Sequence, residues 1–249
     1  MPDKDLPVTG VPGKVVLGVV TKAVEGRWDD ARQAAAVATG RTASERAAAV
    51  AGSYIRQLTL LGAAAGGTAA MPGIGTVAAV GAVTGEVGAF AYKASEMILA
   101  IGAAHGHTDA DVEERTTWVL AVLTHGKAAA AELTEISSAL GAGMTLQASQ
   151  GGGGSWFATV NRYLTRKFLV RWAGRRGATM LGKALPFGVG AAFGAGTNYA
   201  AARRIALSAD RFFAVLPVRQ SRFAHLPPPP VAALPPPQPT ITASRSSTT

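Results

Sequence analysis

The sequence predicts an all-α protein, a compact multi-helix domain with two Gly/Ala-rich helical hairpins and disordered segments at both ends. Three observations lead there. Hydrophobic residues make up 48% of the chain but aromatics only 6%; alanine is the largest contributor to the rest, and 30 glycines accompany it. Alanine is the strongest helix former, and small side chains let helices approach closely. Two stretches share one plan: Met71-Pro72-Gly73-Ile74-Gly75 and Leu185-Pro186-Phe187-Gly188-Val189-Gly190 each lead into small apolar residues. No run alternates apolar and polar residues between turn residues, so no strand is expected.

The elements follow in order. Residues 1–12 hold Asp3, Lys4, Asp5 and three prolines up to residue 12, a disordered start without the apolar stretch of an export signal. A first helix pair is expected at about 13–39 and 44–64. Thr42 with Glu45 forms a capping box at the start of the second. Glycines from Gly66 onward end that helix, and Pro72 suits the first turn of the next, expected to end near residue 104. His105-Gly106-His107 stops it. Thr108, Asp109 and Asp111 offer N-caps for a helix from about 110, with Glu113 and Glu114 in its dipole-favoured first turn. A further helix covers about 127–140. Residues 147–155, with four glycines in a row, read as a flexible insert. A basic helix at 156–183 and a long one at 188–215 complete the domain, 13–222. The Pro-rich segment 223–249 is predicted to be disordered.

The absence of cysteine excludes a disulfide framework, thiolate zinc sites and cysteine nucleophiles, and fits a cytoplasmic protein. Net charge is +9, unevenly spread. Residues 1–160 hold 11 Lys/Arg against 14 Asp/Glu, whereas 161–222 hold 12 against the single acid Asp210. Such asymmetry marks a face that meets anions.

From Gln57 to Gly85 there are 29 residues without charge, and from Ala184 to Ala202 another 19. A bilayer needs about 20 residues, but these segments are Gly- and Ala-rich, so burial in the domain and insertion in a membrane both stay open. Gly81, Gly85 and Gly88, like Gly190 and Gly194, recur at helical spacing and permit close backbone packing in either medium. One polar residue closes each run, Glu86 or Asn198. A carboxylate in an apolar helix needs a partner. If the two segments pack together, Glu86 meets Asn198, or Arg203 and Arg204 beyond it. That group is the first candidate site, as a satisfied buried contact or as a ligand site. Pro72, Gly73, Gly75, Pro186, Gly190 and Gly194 are the structural motif around it.

The basic helix carries Arg162, Arg166, Lys167, Arg171, Arg175 and Arg176, with Phe168, Leu169 and Trp172 as an apolar side. This is the pattern of an amphipathic helix on anionic lipid, although a solvated helix of a basic protein reads the same way. No aromatic-interleaved RNA-binding motif or zinc finger supports specific nucleic-acid binding. Gly177 to Lys183 fits a phosphate loop until Ala184 replaces the magnesium-binding hydroxyl, and no strand precedes it. His105, His107, Asp109, Asp111 and His125 can be written as a metal cluster, but helix-end histidines and capping acids explain them as well. No serine-hydrolase elbow occurs.

In their succession these residues resemble the EcsC family. The likeness covers about 44–215. It runs through Gly66-Gly67-Thr68-Ala69-Ala70 into Pro72-Gly73-Ile74-Gly75, then His105 to Asp111 with Arg115, then Arg166-Lys167, and Pro186 to Asn198 before a helix ending near Phe213. The chain departs from the family in His105, where an aromatic is common, and in its tetraglycine insert. The family is named after a gene beside ABC-transporter components and brings no catalytic residues with it. The resemblance implies a non-enzymatic, membrane-associated accessory protein linked to a transporter or secretion, with no cofactor or metal. Its partner would be an anionic membrane surface or a membrane protein, on the cytoplasmic membrane. The alternative is a soluble helical domain that binds a protein partner or a hydrophobic small molecule.

Overall fold

The computed structural model describes residues 13–69, 76–139, 153–180 and 189–218. Among these residues every regular element is helical, as the composition predicts: α1 Gly13–Gly26, α2 Trp28–Ala36, α3 Ala43–Ala69, α4 Thr76–Ala104, α5 Val112–His125, α6 Ala129–Ala139, α7 Gly153–Met180 and α8 Val189–Val215. A single 3₁₀ turn, Gly126–Ala128, joins α5 to α6.

The capping signals act where the sequence places them. Thr42 Oγ1 accepts the Glu45 amide at 3.1 Å while Glu45 Oε2 accepts the Thr42 amide at 3.2 Å. Of the three N-caps proposed for α5, Asp111 serves, its Oδ1 accepting the Glu114 amide at 2.8 Å. Gly126 ends α5 at φ +57, a conformation that costs glycine nothing, and its amide bonds back to the Val122 carbonyl.

Three boundaries differ from the sequence reading. The helix expected at 44–64 does not stop at its glycines: α3 runs on through Gly66 and Gly67 to Ala69, since a helical glycine costs only about 1 kcal/mol against alanine and Gly66 lies under the close approach of Gly194. The first predicted helix is two, because the chain breaks at Arg27 (φ −115, ψ 10). Gly26 weakens the helix there, and the Arg27 side chain leaves it for a distant carboxylate, Glu96. The predicted flexible insert is shorter at its C-terminal end: Gly153, Gly154 and Ser155 already belong to α7. Residues 147–152, the segments 1–12 and 223–249, and both hairpin turns, with Pro72, Gly73, Gly75 and Pro186, lie outside the described residues.

α4 is the axis of the fold and touches α1, α2, α3, α5 and α8. Among the described residues it alone is long and apolar enough to cross a membrane, over Gly85–Ala104, and 83% of that window is buried inside the protein. The most extensive helix pairing is α3 with α8. Among the described residues α7 rests on α5 and α1. Phe157, Val160, Leu164 and Phe168 bury along one helical stripe. Asn161 clamps it, donating to the Glu113 carbonyl (3.0 Å) and accepting from Thr117 Oγ1 (2.8 Å).

Candidate functional site

The α3–α8 contact is close because both helices present glycine to it. A Cβ on Gly194 would collide with the Gly62 carbonyl. One on Gly62 would fall 2.6 Å from Asn198 Nδ2 and 2.8 Å from Asn198 Cβ. The clash with backbone is decisive, since a helix carbonyl cannot rotate away as a side-chain end can. Of the glycines singled out in the sequence, Gly194 sits at this crossing and Gly190 in the first turn of α8. Gly85 and Gly88 do not pack in this way: a Cβ on Gly85 meets nothing within 4 Å, and one on Gly88 meets only Val19 at 3.7 Å.

Just beyond the crossing the structure brings Glu86 and Asn198 together. Both are buried. Asn198 Nδ2 donates to the Leu58 carbonyl at 3.2 Å and approaches Glu86 Oε1 at 3.4 Å. The amide thus ties α3, α4 and α8 at one point. Arg203 and Arg204, expected beside the pair, are exposed on α8, and Arg204 lines a cleft instead.

A second buried carboxylate, Glu96, lies on the same helix ten positions on. Its oxygens receive Arg27 Nη2 at 3.0 Å, Lys93 Nζ at 2.9 Å and the Tyr54 hydroxyl at 3.1 Å. Burial alone would raise the pKa of this carboxyl, but the hydrogen bonds from Arg27 and Lys93 outweigh it and hold the group below the usual range. Burial, with Glu96 alongside, pushes the Tyr54 phenol above its ordinary value. The cluster is compensated and joins α1–α4, so its chemistry is structural.

The His105–Asp111 segment separates rather than converges. His105 Nε2 meets Asp210 Oδ1 at 2.8 Å. His107 is buried between Trp118 (5.5 Å, edge-on) and Phe213 (5.3 Å), and burial lowers its pKa. Asp111 caps α5, Asp109 is exposed, and His125 lies beside Glu132 at 3.5 Å. Among the described residues no three His, Asp or Glu side chains form a metal-binding group.

On α7, Arg162 and Arg166 are exposed. Lys167 instead pairs with Glu132 of α6, whose hydrogen bond raises the ammonium pKa. Arg171, Arg175 and Arg176 belong to α7, but their side chains lie outside the described residues. The apolar side that the sequence offers to lipid is in part already used: Phe168 is buried in the core and Leu169 packs against it.

One open cleft borders α8, with Phe168 of α7 and the end of α5 on its other walls. The sequence analysis did not find it, nor Gly62, Tyr54 or the Arg27–Glu96 pair. A Lys93–Glu96 pair at i,i+3 was the only local signal for the last of these.

Comparison with family models, curated proteins and solved structures finds no match to this chain.

Proposed function

We propose that the chain is a non-enzymatic accessory protein of the EcsC type that docks on the anionic face of the cytoplasmic membrane without inserting its core helices. The exposed pair Arg162 and Arg166 carries this reading, on a helix whose apolar stripe is turned into the protein. They stand in the segment 161–222, where 12 cations face one acid. A helix anchored in this way offers lipid mainly its charged side, with Tyr163 and Val170 as its exposed apolar residues among those described, so attraction to phosphate headgroups replaces deep insertion. The burial of Gly85–Ala104 within the fold supports the same view. A role beside a membrane transporter rests on the resemblance in residues 44–215.

Vesicle flotation is the direct test. Binding is expected to anionic vesicles but not to purely zwitterionic ones, with release by high salt rather than detergent. At about 1 kcal/mol per surface cation, the double variant Arg162→Gln/Arg166→Gln should bind about 30-fold more weakly. Equal binding to neutral vesicles, or release only by detergent, would refute peripheral docking.

A further inference from the structure

The cleft beside α8 has no part in membrane docking through Arg162 and Arg166. It encloses about 570 Å³, inside the span of small-molecule sites, about 300–1,000 Å³. Its walls divide by chemistry. Phe90, Val122 and Phe168 are buried, and Leu123, Ile205 and Leu207 continue the apolar lining outward. The exposed Lys127, Arg204 and Arg211 share the same cleft, and among the described residues no carboxylate lines it. On α8 the lining residues Arg204, Leu207, Ser208 and Arg211 fall at i, i+3, i+4 and i+7, one face of the helix. His125 also lines the cleft, but Glu132 lies 3.5 Å from it, so the free cationic character rests with the other three.

Thr124 adds an independent observation. It lines the cleft at 3% exposure, and its buried Oγ1 has no hydrogen-bond partner among the described residues. Other helical threonines here return the hydroxyl to the carbonyl four residues earlier, as Thr21, Thr59, Thr116 and Thr134 do. A buried hydroxyl without that bond is costly unless an occupant completes it.

We propose that this cleft binds a single-chain fatty carboxylate, its acyl chain along Phe90, Phe168 and Ile205 and its head held by Arg204, Arg211 and Lys127. The cationic rim and apolar wall select an anionic head on one apolar tail. At about 30 Å³ per water-sized group the cleft has room for about 19 such groups, enough for dodecanoate with about 14 heavy atoms. The inference does not depend on membrane docking by α7.

The test is titration of the full-length protein with dodecanoate below its micelle-forming concentration, read by calorimetry. Decanoate should bind about 15-fold more weakly, since each buried methylene is worth about fourfold. Arg204→Gln/Arg211→Gln should weaken dodecanoate about tenfold and leave uncharged dodecanol unchanged. Leu207→Gln, at a half-exposed position, should weaken both ligands, and unchanged helical circular dichroism would confirm that each variant is folded. No binding of dodecanoate by the wild-type protein overturns the proposal. So does an arginine variant that weakens dodecanol as much as dodecanoate, or dodecyl phosphate binding more tightly than dodecanoate. Vesicle flotation of the Arg204/Arg211 variant separates this site from membrane docking, because Arg162 and Arg166 are intact in it.

Discussion

Along α8 the first half, up to Asn198, meets α3 by omitting side chains, whereas the second half, from Ala206 to Val215, fills its contacts with aromatic rings. At Gly194 and Gly62 two helix backbones nearly touch, and one buried amide, Asn198, reaches across. At Phe212 and Phe213 the packing is ring against ring, with Trp118 5.2 Å from Phe213 and edge-on to it. Even there a glycine takes part: Gly102 of α4 leaves the socket for Phe213, whose Cζ would lie 2.8 Å from a Cβ on that residue. The same helix thus uses two kinds of complementarity. The small-residue half tolerates no added atom at the Gly62–Gly194 crossing itself but buries little area per residue. The aromatic half buries much area, and its loss leaves a cavity.

That contrast can be broken at either end. The largest effect is expected from Gly194→Leu, whose side chain has no room against the Gly62 carbonyl. It should cost about 4 kcal/mol or more and abolish cooperative urea unfolding. Phe213→Ala should cost about 3–5 kcal/mol with the transition still cooperative, read as a lower urea midpoint. A pH titration separates the halves further. Burial depresses the pKa of His107, which touches only the aromatic half. A depressed histidine favours folding in its neutral form. Its contribution is therefore present above the ordinary value of about 6.5 and is lost as pH falls through the folded pKa. The urea midpoint should drop from pH 7 towards about pH 5, and His107→Phe should flatten that slope. The smallest effect is a gain: Gly196, two residues from the crossing, has open space around its Cβ position. Gly196→Ala should stabilise by about 0.5–1 kcal/mol, where Gly194→Ala destabilises.

Local chemistry was legible in the sequence. The Thr42–Glu45 box and the Asp111 cap obey rules that span three residues, so no tertiary knowledge is needed to find them. Glu86 and Asn198 were also recoverable, because a carboxylate at the edge of an apolar run demands a partner, although Arg203 and Arg204 stayed open as alternatives until the fold placed them on the surface. Long-range geometry was not. Nothing near Gly62 distinguishes it from Gly66 until α8 is laid against it. The carboxylate that receives Arg27 at the α1–α2 break lies 69 residues away. The apolar side of α7 reads alike whether it faces lipid or the core helices α5 and α1, since both are oily; only the fold shows that Phe168 turns inward. The cleft escaped for a similar reason, its lining being drawn from α4, α5, α7 and α8.

The α3–α8 pairing also bears on how the chain is made. The helix that closes against Ala43–Ala69 is Val189–Val215, so synthesis must run on for well over a hundred residues before α3 finds its principal partner. Contacts of such sequence separation form slowly and late. Until then the bare glycine face of α3 and the oily flank of α4 stay open to other chains. Exposed apolar surface of that kind makes the incomplete chain prone to aggregate until α8 emerges.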